Sequence, residues 1–268
     1  MVRHDRGGLP LYGWPALDGL GVQAYVTTRD GGVSRGRYAS LNLGLHVGDE
    51  EADVLENRAR VAAAAGLGLD DLVFSDQVHR PRVTVATAAD RGRGARALAD
   101  ALPGTDAVVT AVPGLALVIQ VADCVPLVLV DPVRRLLGCV HAGWGGTVRG
   151  VTPAAVERMR ELGSDPADLV VGIGPSIAPS RYQVGADVAD AAQGAFGDRV
   201  DEVVRPDGDG RWTFDLWTAN RLQLMQAGVR PDAVHVAGLD TGPGTPFFSH
   251  RSEGPTGRFA LVARLAAP

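Results

Sequence analysis

Three side chains that can bind a divalent metal each end or interrupt an apolar run of the chain. They are His79, Cys124 and His141, and the last is followed by three glycines within five residues. Two imidazoles and one thiolate are a ligand set that zinc accepts while it keeps a fourth position for water or substrate. Because the chain has only two cysteines and six histidines, we interpret this trio as a catalytic zinc site.

The same residues allow a second interpretation, in which Cys124 is a nucleophile and His141 its base, as in Cys–His hydrolases. That reading leaves His79 without a role, so zinc is favoured because it uses all three side chains. Cys139 lies inside an apolar run and is interpreted as a core residue, the usual setting of a free cysteine. The chain lacks both His-Glu-x-x-His and the Pro-Cys-x-x-Cys pattern of nucleoside deaminases, which excludes those zinc families.

Lysine is absent from the chain, and all 26 basic residues are arginine. This excludes a Schiff-base lysine, a P-loop lysine and a Ser–Lys dyad. A phosphate or carboxylate must therefore be held by arginine, by backbone N–H groups or by a metal. The formal net charge of −5 argues against nucleic acid as the main partner.

The composition indicates a cytoplasmic protein. Two cysteines in 268 residues are too few for a disulfide framework and suit a reducing compartment. No apolar run approaches the ~20 residues needed to cross a bilayer, and the N-terminus shows no signal peptide. We expect no membrane partner and a monomer or homodimer.

The elements that must position the trio alternate between strands and helices, which predicts an α/β fold in a single domain. Four successive apolar runs around Cys124 and His141 predict strands buried on both faces, which require covering layers of helix. The polar, Arg- and Gly-rich residues 88–104 are predicted to form a mobile surface segment. The predicted strands are 22–28, 81–87, 105–110, 115–121, 126–131, 136–141, 169–173, 234–237 and 259–265, and the predicted helices are 50–65, 151–162 and 216–227.

A series of ordered short segments resembles the YfiH family, also called the laccase-domain or multicopper polyphenol oxidase family. The resemblance extends from about Tyr25 to Arg264 and is highly specific because the segments follow one another in order. They are residues 27–34, 40–44, 76–79, 104–107, 122–126, 141–144, 174–177, 214–220 and 247–251.

The resemblance implies a four-layer α/β/β/α sandwich with mixed sheets, in one domain spanning residues 1–268. It places the metal ligands on His79, Cys124 and His141. Members of the family are described as purine nucleoside phosphorylases that act on adenosine, inosine, guanosine and methylthioadenosine, with adenosine deaminase activity. The implied partners are therefore a purine nucleoside and phosphate, and the substrate-binding candidates are Asn42, Arg58, Gln77 and Arg251.

Two other activities are associated with this resemblance. One is a hydrolase that edits peptidoglycan precursors with the same Cys/His metal site. The other is a copper polyphenol oxidase, which is disfavoured by the number of histidines. Copper binds imidazole ligands, and a type 1 site plus a three-copper cluster needs about ten histidines. Six histidines with no His-x-His pair cannot supply them.

The chain departs from the family pattern at three places. Gly145 stands where an arginine usually follows His-Ala-Gly-Trp, and we expect Arg149 or Arg251 to compensate for the missing cation. Ser180 and Arg181 replace a cysteine-containing segment, and residues 240–241 are Asp-Thr where Cys-Thr is common.

Overall fold

Two six-stranded mixed sheets form the centre of the protein in the computed structural model, which describes residues 1–267. In the first sheet the strands lie in the order β1 (Val2–Arg6), β2 (Leu9–Gly13), β3 (Val22–Thr27), β15 (Phe259–Leu265), β7 (Ala116–Val121) and β4 (Leu72–Phe74). In the second sheet the order is β14 (Val234–Val236), β10 (Val170–Ile173), β8 (Val125–Asp131), β9 (Leu136–Ala142), β6 (Ala107–Thr110) and β5 (Val83–Val85). Parallel pairing joins β4 to β7, β10 to β14 and β5 to β6, and the other neighbours are antiparallel.

The remaining elements cover these sheets or lie beside them. A small antiparallel sheet contains β11 (Gln183–Val184), β13 (Trp212–Phe214) and β12 (Val204–Pro206). The helices are α1 (Glu51–Ala64), α2 (Trp144–Val148), α3 (Val151–Glu161), α4 (Ala186–Phe196), α5 (Leu216–Gln226) and α6 (His250–Glu253). None of these helices is long and apolar enough to cross a membrane.

Alternate residues of each central strand are buried in different cores. In β8, Leu127 and Leu129 pack towards α3, α4 and α5, whereas Val128 and Val130 pack between the two sheets. On the outer face of the first sheet, α1 packs in a third core. Because successive side chains of a strand point to opposite faces, a strand covered on both sides is apolar along most of its length. The predicted α/β/β/α sandwich with mixed sheets is thus confirmed.

The ends of the three predicted helices lie within one residue of the observed ends. Every predicted strand is present, although the strand predicted at 81–87 is shortened to Val83–Val85. The prediction missed the hairpin β1–β2, the strand β4, the helices α2, α4 and α6, and the small sheet. Except for α4, these elements span five residues or fewer, too few for a period to be recognised. Helix α4 has eleven residues with Val188, Ala192 and Phe196 buried at helical spacing, and the prediction overlooked that pattern.

Residues 88–104 lie at the surface, as their polarity predicted, but they are anchored to the first sheet at a few buried positions. Ala95, Ala101 and Leu102 are buried. Gly94 has a positive φ of 68°, and a Cβ on it would lie 2.8 Å from the Cβ of Phe74. A glycine therefore lets this segment approach the first sheet closely, so a few small buried residues hold an otherwise polar stretch against it.

Candidate metal centre and its pocket

The predicted trio lies where the chain passes from one sheet to the other. His79 is in the connection from β4 of the first sheet to β5 of the second, and Cys124 is in the connection from β7 to β8. His141 is near the end of β9, paired with Pro126 of β8. The hairpin register thus places His141 beside the start of the strand that follows Cys124.

The three side chains meet with their potential ligand atoms within 4.8 Å of one another. The Sγ of Cys124 is 3.7 Å from Nε2 of His79, and the two imidazole rings stand edge to face with 4.7 Å between their centres. His141 is only 3% exposed, whereas His79 is open to solvent and Cys124 is half-buried. One side of the cluster is therefore accessible to a ligand.

Asp106 holds two of the three side chains in place. Its fully buried carboxylate accepts hydrogen bonds from the backbone N–H groups of Val78, His79 and Arg80 at 3.1, 2.9 and 2.8 Å. It also accepts a 2.8 Å hydrogen bond from Nδ1 of His141. Since a carboxylate only accepts, the His141 proton lies on Nδ1, which leaves Nε2 as the ring nitrogen able to bind a metal.

Asp123 performs the corresponding task next to Cys124. It adopts a positive φ of 87°, a backbone conformation that non-glycine residues rarely adopt. Its carboxylate accepts hydrogen bonds from the hydroxyls of Thr241 and Ser249, both at 2.7 Å, and from the N–H of Arg251 at 2.6 Å. These contacts fix the turn that directs Cys124 towards the histidines.

The electrostatic environment favours the thiolate of Cys124. Burial alone would raise the pKa of this thiol, but the neighbouring His141 and His79 outweigh burial and lower the pKa from 9.0 to about 6. Burial would lower the pKa of His141, but the Cys124 thiolate and Asp106 raise it to about 9. For Cys139 burial acts without such partners and raises the pKa. Cys124 is thus the reactive cysteine, and the thiolate is the form that binds metals.

The donor set fits a tetrahedral zinc ion. With Zn–S of about 2.3 Å and Zn–N of about 2.0–2.1 Å, the sulfur and nitrogen ligands of one ion are separated by about 3.6 Å, close to the observed 3.7 Å between Cys124 and His79. Gly143 leaves the necessary space, because a Cβ there would lie 2.7 Å from Cδ2 of His79 and 2.8 Å from Sγ of Cys124. The requirement for glycine at this position follows from the approach of the two side chains.

A pocket of about 390 Å³ opens onto the trio, a volume within the range of small-molecule sites. Among the described residues that line it, Asp76 is the single carboxylate, while the basic side chains include Arg258, His46 and His250 in addition to the two histidines of the trio. The full lining consists of His46, Ser75, Asp76, Gln77, His79, Leu98, Gln120, Val121, Ala122, Cys124, His141, His250 and Arg258.

Of the four predicted substrate-binding residues, only Gln77 lines this pocket. Its side-chain amide pairs with the backbone of Gln120, donating to the carbonyl at 2.7 Å and accepting from the N–H at 2.8 Å. Asn42 is buried, and its Oδ1 accepts hydrogen bonds from the N–H groups of Gly44 and Arg258 at 2.9 and 2.8 Å. Asn42 therefore supports the wall of the pocket from behind.

The two predicted arginines lie outside the pocket lining. Arg58 is only 3% exposed; it donates to the carbonyls of Leu43, Gly94 and Ala95 at 2.9, 2.6 and 2.9 Å, and its guanidinium stacks on Phe74 at 3.8 Å. This arginine fastens residues 88–104 to the first sheet instead of facing the pocket.

Arg251 and Arg149, the two arginines expected to compensate for Gly145, are both held by backbone carbonyls. Arg251 donates to the carbonyl of Gln183 at 2.7 Å. Arg149 donates to the carbonyl of Gly145 at 2.8 Å, and a Cβ at position 145 would lie 2.6 Å from Nη1 of Arg149. Neither arginine lines the pocket, although Arg149 occupies the space beside Gly145 close to the backbone of His79.

The other two departures from the family pattern meet in space. Nε of Arg181 lies 3.2 Å from Oδ2 of Asp240, and Oδ1 of Asp240 accepts from the N–H of Ala178 at 2.8 Å. An ion pair therefore connects the two segments at the positions where the family pattern has cysteine-containing sequence.

Four residues of the site were not predicted from the sequence: Asp106, Arg258, His46 and His250. Asp106 and His250 lie within the segments that carry the family resemblance, but the residue types alone do not reveal their contacts. Nothing in the spacing of Arg258 or His46 distinguishes them from surface residues.

Fold and site together define a class of two-sheet α/β proteins in which a His, Cys, His cluster lies at the crossings between the sheets. The chain belongs to the family described as multi-copper polyphenol oxidoreductase laccase, whose model matches residues 23–266. The resemblance drawn from the ordered segments is thus confirmed.

Relatives of the chain carry two kinds of enzyme name. The purine nucleoside phosphorylase YlmD of Bacillus subtilis is 41% identical over 240 residues, covering 88% of this chain and 86% of that protein. The adenosine deaminase RL5, from an unknown prokaryotic organism, is 37% identical over 235 residues, covering 87% and 90%. The crystal structure of the Bacillus licheniformis hypothetical protein YfiH superposes with a TM-score of 0.92 at 37% identity and covers 98% of this chain and 97% of that one.

Proposed function

We propose that this protein is a zinc-dependent purine nucleoside phosphorylase that accepts adenosine, inosine, guanosine and methylthioadenosine. The observation that carries the proposal is the pocket in which the His79–Cys124–His141 trio and Arg258 line the same space. Phosphorolysis needs both features, because an anion must be held against the sugar while the departing base is stabilised. The name of the Bacillus subtilis relative agrees with this proposal.

The reaction consists of one substitution at the ribose. An oxygen of hydrogen phosphate forms a bond to C1′, the bond from C1′ to the purine nitrogen breaks, and the base takes that electron pair and the proton that hydrogen phosphate carried. The products are ribose 1-phosphate and the free purine. The transition state resembles an oxocarbenium ion, as in glycoside hydrolysis, so the catalyst has to orient phosphate and lower the basicity of the leaving base.

The protein's own residues prepare this site. His79, Cys124 and His141 would hold zinc, with Asp106 keeping Nε2 of His141 available. A bound zinc ion would supply Lewis acidity at the reacting end of the pocket. His46 and His250 on the pocket wall offer imidazole groups to the purine, and the apolar Leu98 and Val121 offer it a non-polar surface.

A second activity, deamination of adenosine, is supported by the same trio. Three protein ligands with an open side are typical of catalytic zinc sites that activate water for hydrolysis, and the trio has one exposed member. A relative at 37% identity is named an adenosine deaminase. We propose deamination as a side activity of the phosphorylase site.

The candidate metal ligands do not suit a copper polyphenol oxidase. Within residues 1–267, His79, Cys124 and His141 form the one group of three or more His, Cys, Asp or Glu side chains placed to hold an ion. A type 1 copper site plus a three-copper cluster needs several such groups, so a single His, Cys, His cluster suits one ion.

The test is release of hypoxanthine from inosine with and without phosphate. We expect phosphate-dependent formation of ribose 1-phosphate, lost in His79→Ala and His141→Ala. Cys124→Ser should remove both the metal and turnover, whereas Cys139→Ser should retain both, because Cys139 is buried between the sheets away from the pocket. Elemental analysis should find about one zinc per chain.

Two results would overturn the proposal. Nucleoside turnover that survives both histidine substitutions would place the chemistry elsewhere in the chain. Slow nucleoside turnover together with faster turnover of a serine- or alanine-bearing peptidoglycan precursor would assign the site to precursor editing. Adenosine that becomes inosine without phosphate would support the deaminase activity separately.

A further inference from the structure

Arg258 is the arginine that lines the pocket at the candidate metal centre, and part of its guanidinium has no hydrogen-bond partner. Its Nη1 donates to the carbonyls of Thr256 and Gly257, both at 2.9 Å. In the part of the chain that the structure describes, Nε and Nη2 have no acceptor and no carboxylate forms an ion pair with this side chain. By contrast, Arg58 and Arg251 donate to backbone carbonyls outside the pocket.

The protein fixes Arg258 in this position from several sides. Its N–H donates to Oδ1 of Asn42 at 2.8 Å, and its carbonyl accepts from the N–H of Leu43 at 3.0 Å. Its Cγ lies against Gly44, where a Cβ would be only 2.9 Å away. The next residue, Phe259, begins β15. Arg258 is therefore a rigidly mounted, half-buried cation and not a mobile surface side chain.

These contacts place Arg258 beside the candidate metal centre. Phe259 pairs with Val121 at the end of β7, so Arg258 adjoins the connection that carries Cys124. Both Arg258 and Cys124 line the pocket. The one carboxylate of the described lining, Asp76, is exposed and has no contact with Arg258 in the structure.

We propose that Arg258 binds the phosphate co-substrate through Nε and Nη2. These two N–H groups point in parallel along one edge of the planar guanidinium, which matches two oxygens of a phosphate. The protein has no lysine, so within this pocket Arg258 is the permanent cation. The inference rests on the proposed function, because it assigns a residue to the phosphate that phosphorolysis consumes.

The experiment compares Arg258→Lys and Arg258→Gln with the wild type. Lysine keeps the charge but cannot make the two parallel hydrogen bonds, and glutamine removes the charge. We expect the KM for phosphate to rise about 10- to 100-fold in Arg258→Lys, the value of one lost charge-assisted hydrogen bond, and further in Arg258→Gln. The KM for inosine should change less than about twofold, since loss of uniform binding to one substrate raises the KM of that substrate.

Arg134→Lys is the matched control. Arg134 lies in the turn at the opposite end of the β8–β9 hairpin from the trio, and its side chain is exposed. Its substitution should leave both KM values unchanged. Thermal unfolding and the zinc content of each variant show whether Arg258 substitutions disturb the fold, and only variants with wild-type zinc content are compared.

Direct binding separates this inference from the proposed function. Inorganic phosphate is titrated into the zinc-loaded and the metal-free protein without nucleoside, with acetate as a carboxylate comparison. Binding that weakens in Arg258→Lys supports the inference even if no phosphorolysis is detected. The inference is overturned by no phosphate binding by the wild type, by equal binding by wild type and both variants, or by binding that needs zinc but not Arg258. A preference for acetate would also overturn it.

Discussion

Asp106 connects the loop of His79 to the ring of His141, and replacing it by asparagine tests how the candidate metal centre is built. The carboxylate receives four hydrogen bonds: Oδ2 accepts from Val78 and Arg80, and Oδ1 accepts from His79 and His141. Asparagine has the same shape but only one oxygen. Whichever way its amide turns, an NH2 group faces two donors.

Each orientation of the asparagine damages the centre in its own way. With the oxygen towards His141, the N–H groups of Val78 and Arg80 lose their acceptor and the loop of His79 loosens. With the oxygen towards the loop, the NH2 group meets Nδ1 of His141 and drives the ring proton to Nε2, which then cannot bind a metal.

The magnitude follows from the number of bonds lost. Two hydrogen bonds to a charged acceptor are worth about 1.5–3 kcal/mol each, so unfolding of the metal-free protein should become easier by about 3–6 kcal/mol. Loss of a hydrogen-bond partner of a metal ligand weakens metal binding about 10- to 100-fold, which is about 1.4–2.7 kcal/mol. Both effects should be present in Asp106→Asn.

The assay is zinc competition against a chromophoric chelator, with denaturant unfolding of the metal-free protein measured in parallel. Asp131→Asn is the matched control, because Asp131 is also fully buried and accepts from the N–H groups of Val133 and Arg134 at 2.8 Å without touching the trio. Both of these bonds end on Oδ1, so one asparagine oxygen can retain them, and this variant should lose less stability than Asp106→Asn and keep its zinc affinity. If Asp106→Asn binds zinc within twofold of the wild type, or if Asp131→Asn loses zinc affinity equally, the role assigned to Asp106 is refuted.

Three further substitutions or treatments test other parts of the structure. In metal-free protein, iodoacetamide should modify Cys124 at a rate that rises with pH through about 6 and then levels off, because the pKa of this thiol is lowered. Cys139, whose pKa is raised by burial, should stay unmodified. Zinc should protect Cys124, and mass spectrometry identifies the modified cysteine. Gly143→Ala should weaken zinc binding at least about tenfold in the chelator assay, because its Cβ would lie 2.8 Å from Sγ of Cys124, while its φ of −73° suits alanine. Arg58→Lys should reduce the free energy of unfolding by about 2–4 kcal/mol, because it loses most of its three bonds to carbonyls, without changing the KM for phosphate.

Each of these expectations has a result that contradicts it. Faster labelling of Cys139 than of Cys124 would mean that the reactive cysteine is misassigned. Wild-type zinc affinity in Gly143→Ala would show that the close approach of the ligands is not required. A higher KM for phosphate in Arg58→Lys at unchanged stability would return Arg58 to the substrate site that the sequence analysis proposed.

The apolar runs of the chain were sufficient to predict the central architecture. Strands such as β7 and β8 are buried on both faces, so nearly all their residues are apolar and the pattern is visible without knowledge of the partners. The trio was predictable for a related reason, because His79, Cys124 and His141 are rare residue types placed beside turns. The absence of lysine fixed arginine as the cation for any anion.

The supporting residues were decided only by tertiary structure. Asp106 looks like an ordinary acidic residue before a strand, and its role appears only when the β4–β5 connection and β9 are brought to the same carboxylate. The sequence does not distinguish Arg58 from Arg258. In the structure Arg58 is enclosed by backbone carbonyls, whereas Arg258 keeps free N–H groups at the pocket. Local sequence reports whether a side chain prefers burial, whereas the availability of its polar atoms depends on which distant segments satisfy them.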